Sequence, residues 1–335
     1  MAQSTDVFSR TPTFHNTDAA YILPNEYVFF SWLAHYLVPT TGKAPSLYIQ
    51  LTVLSSPAEH SRLVDQHNSL VALLKNRVVH APVSSPSIVL DIGCGTGVVT
   101  RHLSSRFPTA NHIYGIDLCP VPTQPADSDV PNLSFIQGNF CKLAGEDARL
   151  PFGSADFVFS RLLLCGMTHW PDYVRDVLKI LKPGRWAEMG DYVEDVFYED
   201  NRSVPREEWE WLRSLRAGGV QQGLDLDAGL NIQRYMEEAG FVDIQRWKYR
   251  VPYWKGAAKE QPEARQMTEH AIGDKWGLYW HMLPKLLEGM KYNQADVERL
   301  QGDMRRGSTS FFALRLGGSP MCEWSAAHSY PQRED

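Results

Sequence analysis

After Pro86 the chain alternates two hydrophobic rhythms. Ile88 to Ile92 is a short apolar run that predicts a strand, and Val98 to Ser105 follows it with helical spacing. His112 to Ile116 predicts a second strand that ends on Asp117, and Leu133 to Gln137 a third. Phe157 to Phe159 lies in a fourth, introduced by Pro151-Phe152-Gly153-Ser154. Val174, Val177, Leu178 and Leu181 mark a helix over Tyr173–Leu181; Lys182-Pro183-Gly184 reads as a turn, and Trp186 to Met189 begins a fifth strand. Asn231 to Ala239 reads as a helix closed by Gly240. Val242 to Val251 and Ser310 to Leu316 read as two final strands, with a long helical insertion over residues 255–307 between them. Strands and helices in this order predict an α/β fold, a doubly wound sheet covered by helices on both faces.

Upstream, Ala58 to Val79 reads as a helix with Leu63, Leu70, Leu73 and Leu74 on one face and His67 on or near it. Ala81-Pro-Val-Ser-Ser-Pro86 breaks the pattern and separates this helix from the strands. Met1 to Ala20 reads as a loosely attached arm. The expected organisation is an arm over 1–20, a helical cap over 21–85, the main domain over 86–320 with its helical lid at 255–307, and a tail over 321–335.

The chemistry concentrates where the first strand turns into the first helix. Asp91-x-Gly93-Cys94-Gly95-x-Gly97 lets the backbone approach a ligand closely, and the helix start offers free N–H groups. The spacing is G-x-G-x-G, whereas a nicotinamide-type loop reads G-x-G-x-x-G. Asp91 would repel a pyrophosphate and suits a ligand that carries an ammonium group. Asp117, at the end of the next strand, suits ribose hydroxyls, with Leu118 beside it. Gly138, Asn139 and Phe140 follow the third strand, where Asn139 can bond an adenine edge. Ser160 and Arg161 end the fourth.

These residues resemble class I S-adenosylmethionine-dependent methyltransferases through Val89-Leu-Asp-Ile-Gly-Cys-Gly-Thr-Gly97 and Gly115-Ile-Asp117. More narrowly, the chain resembles fungal secondary-metabolite methyltransferases. Tyr21-Ile-Leu-Pro-Asn25, Arg62-Leu-Val-Asp-Gln-His67, Asp156-Phe-Val-Phe-Ser-Arg161, Trp170-Pro171, Leu181-Lys-Pro-Gly184 with Trp186 and Glu188, and Ala239-Gly-Phe241 carry that likeness. The resemblance implies a Rossmann-like seven-stranded sheet with an antiparallel last strand, and S-adenosyl-L-methionine as cofactor. Two features depart from the family. Arg185 stands where a second glycine is usual. The segment Glu26 to Pro57 intervenes before the Arg62–His67 helix, either as a translated intron or as a surface insertion.

Methyl transfer from a sulfonium is a direct displacement in which positioning supplies much of the rate. His169, in Gly166-Met-Thr-His-Trp170, is the first candidate base. His67 is expected to act by position, and Arg161 to steer a substrate oxygen or pair with a carboxylate. His281 and Tyr279 are candidates for the substrate cavity wall. The tryptophans of the C-terminal half (Trp209, Trp211, Trp247, Trp254, Trp276, Trp280) divide between core and an aromatic lid suited to a polyketide-like substrate. The expected reaction is O-methylation of a small secondary metabolite. The alternatives are a pericyclase or dehydratase that binds the same cofactor without transferring methyl, and a methyltransferase-like regulator of secondary metabolism.

Bulk properties narrow the partners. The net charge is −6 and no basic run stands out, so nucleic acid is not an expected partner. The longest apolar stretch, Val28 to Val38, is broken by Ser31 and His35 and is too short for a membrane span. Five cysteines without metal-type spacing point to a reducing, cytoplasmic setting with neither a disulfide framework nor a metal site. The expected partners are a small-molecule substrate and, as an assembly the sequence allows, a second copy of the chain.

Overall fold

A computed structural model describes residues 57–164, 166–193, 209–250, 265–267, 279–280, 282–313 and 321–329. The expected arm over 1–20 lies outside them, as does the 26–57 segment apart from Pro57, and so do Trp254, Trp276 and His281.

The strands are β1 (Ile88–Ile92), β2 (His112–Asp117), β3 (Leu133–Gln137), β4 (Ala155–Arg161), β5 (Leu181–Val193), β6 (Phe241–Arg250) and β7 (Met321–Ser329). Their order in the sheet is β3-β2-β1-β4-β5-β7-β6. The first five pair in parallel, as the strand–helix alternation predicts, and β7 runs antiparallel to both β5 and β6. The helices are α1 (Pro57–Leu73), α2 (Val98–Arg106), the single turn α3 (Phe140–Leu143), α4 (Trp170–Ile180), α5 (Glu210–Gln221), α6 (Ala228–Ala239) and α7 (Gln294–Ala313).

The period of two along β1 divides the core. Leu90 and Ile92 join the apolar cluster beneath α4 and α6, whereas Val89 joins Val99, Leu103 and Phe157 on the other face. Trp211 and Tyr279 are buried in the first cluster, so these two aromatics belong to the core.

Three expectations are corrected. The strand expected over Ser310–Leu316 is replaced by helix where it is described: residues 310–313 complete α7, residues 314–316 lie outside the described residues, and the last described strand is Met321–Ser329. That strand falls in the segment expected as the tail over 321–335. Its hydrogen-bond partners on both sides, β5 and β6, define it. The helix predicted over Ala58–Val79 stops at Leu73, because Lys75 and Asn76 take positive φ and the Asn76 N–H closes on the Val71 carbonyl at 2.9 Å. The Lys182-Pro183-Gly184 turn lies inside β5, where pairing jumps from Ala155–Leu181 to Phe157–Trp186.

Two buried carboxylates tie the chain leading into β1 to the sheet. Glu188 accepts from the His80 and Ala81 N–H groups at 2.7 and 2.8 Å, and its other oxygen lies 2.9 Å from His80 Nδ1. The breaker cluster is therefore docked on β5. Asp156 accepts from the Ser87 and Ile88 N–H groups, both at 3.0 Å, and from Lys182 Nζ at 2.8 Å. Arg185, the departure from the family pattern, reaches the same carboxylate at 3.3 Å. Because Arg185 is half exposed, Arg185→Gly is expected to change stability by under about 1 kcal/mol. Asp156→Ala leaves two N–H groups without their acceptor and is expected to cost about 2 kcal/mol. Urea denaturation of the two variants separates these effects.

Candidate functional site

The carboxyl ends of β1, β2 and β4 meet at the point where the strand order reverses, which is where open α/β sheets place ligands. A cavity of about 360 Å³ opens there. Its wall is built from the glycine loop, the ends of β2, β3 and β4, residues 166–169 at the start of α4, and the α1 side chains His60, Leu63 and Gln66.

The glycine loop folds as its spacing requires. Gly93 and Gly95 have φ of 70° and 55°, a region that favours glycine. A Cβ on Gly93 would lie 2.3 Å from Leu163 Cδ2, so the β4 end closes over the loop without room for a side chain. Gly93 and Cys94 donate their N–H groups to the Ile116 carbonyl at 2.8 and 3.2 Å. The Gly95 N–H donates to Asp117 Oδ2 at 2.8 Å, and the Cys119 N–H to Asp117 Oδ1 at 2.9 Å. One side chain thus links the loop after β1 to the loop after β2.

Asp91 is almost fully buried in the cavity wall, and Thr100 Oγ1 donates to its Oδ2 at 2.7 Å. Burial raises its pKa from the ordinary range to about 6; the Thr100 hydrogen bond and the Arg161 charge only partly offset it. Burial also pushes the Cys94 thiol well up, with the Asp117 charge adding to it, so Cys94 is an inert wall residue.

Arg161 ends β4 on the cavity wall, and its Nη2 lies 3.0 Å from Nδ1 of His67 on α1. Burial, then the Arg161 and His102 charges, lower the His67 pKa to about 3. The next residue, Leu162, has φ of 59°, costly for a leucine, and also lines the cavity. His169 occupies the N-cap position of α4, and both His169 and Asp172 face the cavity.

Most residues singled out in the sequence line this one space: Asp91, Gly93, Cys94, Gly95, Asp117, Leu118, Gly138, Asn139, Phe140, Arg161 and His169. Gly97, Ser160 and His67 stand outside its wall. Gly97 caps α2, where a Cβ would meet Phe135 at 2.7 Å; Ser160 is 2% exposed within β4; and His67 stands beside Arg161. Sequence reasoning missed His60, Leu63 and Gln66, although the Arg62–His67 stretch marked the helix that carries them. It also missed Arg101. This side chain donates to the Thr96 and Pro122 carbonyls at 2.6 and 2.9 Å and clasps Asp127 with two bonds of 2.7 Å, so it holds the loop after β2 against α2.

The family described as a methyltransferase domain matches residues 63–246, more than half of the 335-residue chain. Methyltransferase pytC of Aspergillus terreus is 27% identical over 197 residues, 58% of this chain and 58% of that protein. Methyltransferase cpsF of Aspergillus campestris is 28% identical over 233 residues, 64% of this chain and 77% of that protein. The chain therefore spans a little over half the length of pytC. Among solved structures, Haemonchus contortus phosphoethanolamine N-methyltransferase 2 aligns at 19% identity with a TM-score of 0.45, over 79% of this chain and 53% of that one. With the family match spanning the glycine loop, both acids and the sheet from β1 through most of β6, the chain belongs to this methyltransferase-domain family, whose cofactor is S-adenosylmethionine.

Proposed function

We propose that the chain transfers the methyl group of S-adenosylmethionine to an oxygen of a small, polyketide-type secondary metabolite. One observation carries the reading: a single cavity joins a glycine loop and two strand-end acids, Asp91 and Asp117, to His169 on its wall. The residues fit the cofactor. Asp91 is a buried carboxylate suited to the amino group of the methionine end. Asp117 ends β2 on the cavity wall, where its carboxylate accepts from the Gly95 and Cys119 N–H groups and is placed to accept from ribose hydroxyls. Leu118, Gly138, Asn139 and Phe140 line the remainder as an adenine subsite.

The bound cofactor supplies an electrophilic methyl group on a sulfonium. The chain's share is orientation, exclusion of water and proton removal. His169 takes the acceptor hydroxyl proton. The aliphatic wall of Leu63, Leu162, Leu163 and Met167 keeps the site dry. The reading makes the chain a cytoplasmic enzyme working on a small molecule, with no nucleic-acid partner and with a homodimer as its assembly. Among the described residues no helix is long and apolar enough to cross a membrane.

The test is incubation with methyl-labelled S-adenosylmethionine and a panel of phenolic and enolic polyketides. Label is expected in an O-methyl product, with His169→Gln slowing turnover by about 100-fold. Label on carbon or nitrogen would correct the acceptor. A cyclised or dehydrated product without label would overturn methyl transfer.

A further inference from the structure

We propose that Leu162 is a positioning residue. Its strained backbone and its side chain join α1 to the end of β4, and so hold in place the two leucines that cover the glycine loop, Leu63 and Leu163. The inference rests on the cofactor reading above and concerns the backbone that shapes the site rather than a contact to any one ligand group.

Among the described residues, positive φ outside glycine occurs at Lys75, Asn76, Leu162 and Asp243, and of these Leu162 alone lines the cavity. Its φ of 59° costs a residue with a Cβ and costs glycine nothing. Arg161 is the last β4 residue paired with β5, and the Leu162 N–H then donates to the Gly190 carbonyl at 2.9 Å, which fixes the backbone at the turning point. Along a regular strand Leu162 would follow Ser160 onto the face of α4. Ser160 is level with Ile92, whose side chain lies in the cluster beneath α4 and α6. Leu162 packs instead against a separate buried cluster: Leu70 and Leu73 of α1, Leu74 just beyond it, and Met267. The positive φ breaks the alternation and sends the side chain to that cluster.

The same residue stands between the two covers of the glycine loop. From α1, Leu63 lies over Gly95, where a Cβ would be 3.5 Å from Leu63 Cδ1. From the segment after β4, Leu163 lies over Gly93, where no Cβ fits. Both leucines line the cavity, and the segment runs on through Gly166, Met167 and Thr168 on the same wall to His169. A glycine at position 162 would remove the strain. It would also free the segment to take other backbone angles and unfasten it from α1. With leucine, packing into the α1 cluster offsets the backbone cost and the path of the chain is fixed.

The test separates backbone from side chain with three variants, read by calorimetry with S-adenosylhomocysteine and by thermal melting. Leu162→Ala and Leu162→Gly remove nearly the same contacts, so a difference between them reports the backbone. Leu162→Gly is expected to melt about 2 °C above Leu162→Ala, because only glycine relieves the positive φ. It is nevertheless expected to bind S-adenosylhomocysteine about fivefold more weakly than Leu162→Ala, because binding must then order a free backbone. Leu162→Met, which keeps the reach into the cluster, should stay within about twofold of wild type. A merely structural leucine predicts the opposite order: affinity follows stability, and the glycine variant binds at least as well as the alanine variant. That order, or a glycine variant that melts below the alanine one, overturns the proposal and leaves the cofactor reading standing. A wild type that does not bind S-adenosylhomocysteine overturns the cofactor reading, and this proposal with it.

Discussion

Asp117→Asn is expected to weaken S-adenosylhomocysteine binding by about 100-fold or more, although the two side chains have the same shape. Both carboxylate oxygens are engaged with backbone donors, Gly95 at 2.8 Å and Cys119 at 2.9 Å. An asparagine offers one acceptor and one amide nitrogen. Whichever way it turns, an N–H of the glycine loop or of the following loop meets a donor instead of an acceptor. One of the two loops must then shift, and both line the cavity. The ribose hydroxyls lose part of their acceptor as well. Isothermal titration with S-adenosylhomocysteine reads the effect, and circular dichroism checks the fold. An affinity within threefold of wild type would remove Asp117 from the ligand site.

The second large effect is a pH dependence. Burial holds the Asp91 pKa near 6 in the free protein. An ammonium bound against it favours the ionised form, so the complex holds fewer protons than the free protein. Affinity is then expected to fall as pH drops through about 6, approaching tenfold per pH unit below it, with a proton released on binding. Asp91→Asn should bind weakly at every pH and show no such slope. The sign reverses for stability. A carboxyl whose folded pKa lies above its unfolded value of 3.8 opposes folding most when ionised, above pH 6, and that penalty fades as pH falls toward 4. The penalty is roughly 3 kcal/mol above pH 6, so Asp91→Asn should melt at a higher temperature than wild type at pH 7.5 while binding ligand poorly. Titrations at pH 5, 6 and 7.5 on both proteins, with paired melting curves, test both signs. A wild-type affinity that is flat across this range would discard the ammonium–Asp91 pairing.

Much of the parallel half of the fold was legible because it is local. The runs Ile88–Ile92 and His112–Asp117 are short, apolar and bounded by punctuation, and each lies next to the strand it pairs with. The glycine loop was legible for a related reason: positive φ and a missing Cβ leave a direct trace in the residue type. The antiparallel end was not. β7 follows a long excursion and slots between β5 and β6, so its identity depends on two partners far back in the chain. Phe311 and Phe312, inside the strand expected over Ser310–Leu316, sit instead in the last turn of α7.

The candidate site divides the same way. By itself the sequence determined the α/β class, the glycine loop after β1 and the two acids toward the ends of β1 and β2, since each rests on spacing within one strand–turn–helix unit. Tertiary structure decided which of the remaining polar residues share a space with them. His169 and Arg161 line the cavity, whereas His67 stands beside Arg161 at hydrogen-bond distance. It also decided their charge. The low pKa of His67 and the high pKa of Asp91 come from burial and from neighbours contributed by other elements. Desolvation depends on everything that surrounds a group in space, and no pattern along the chain records it.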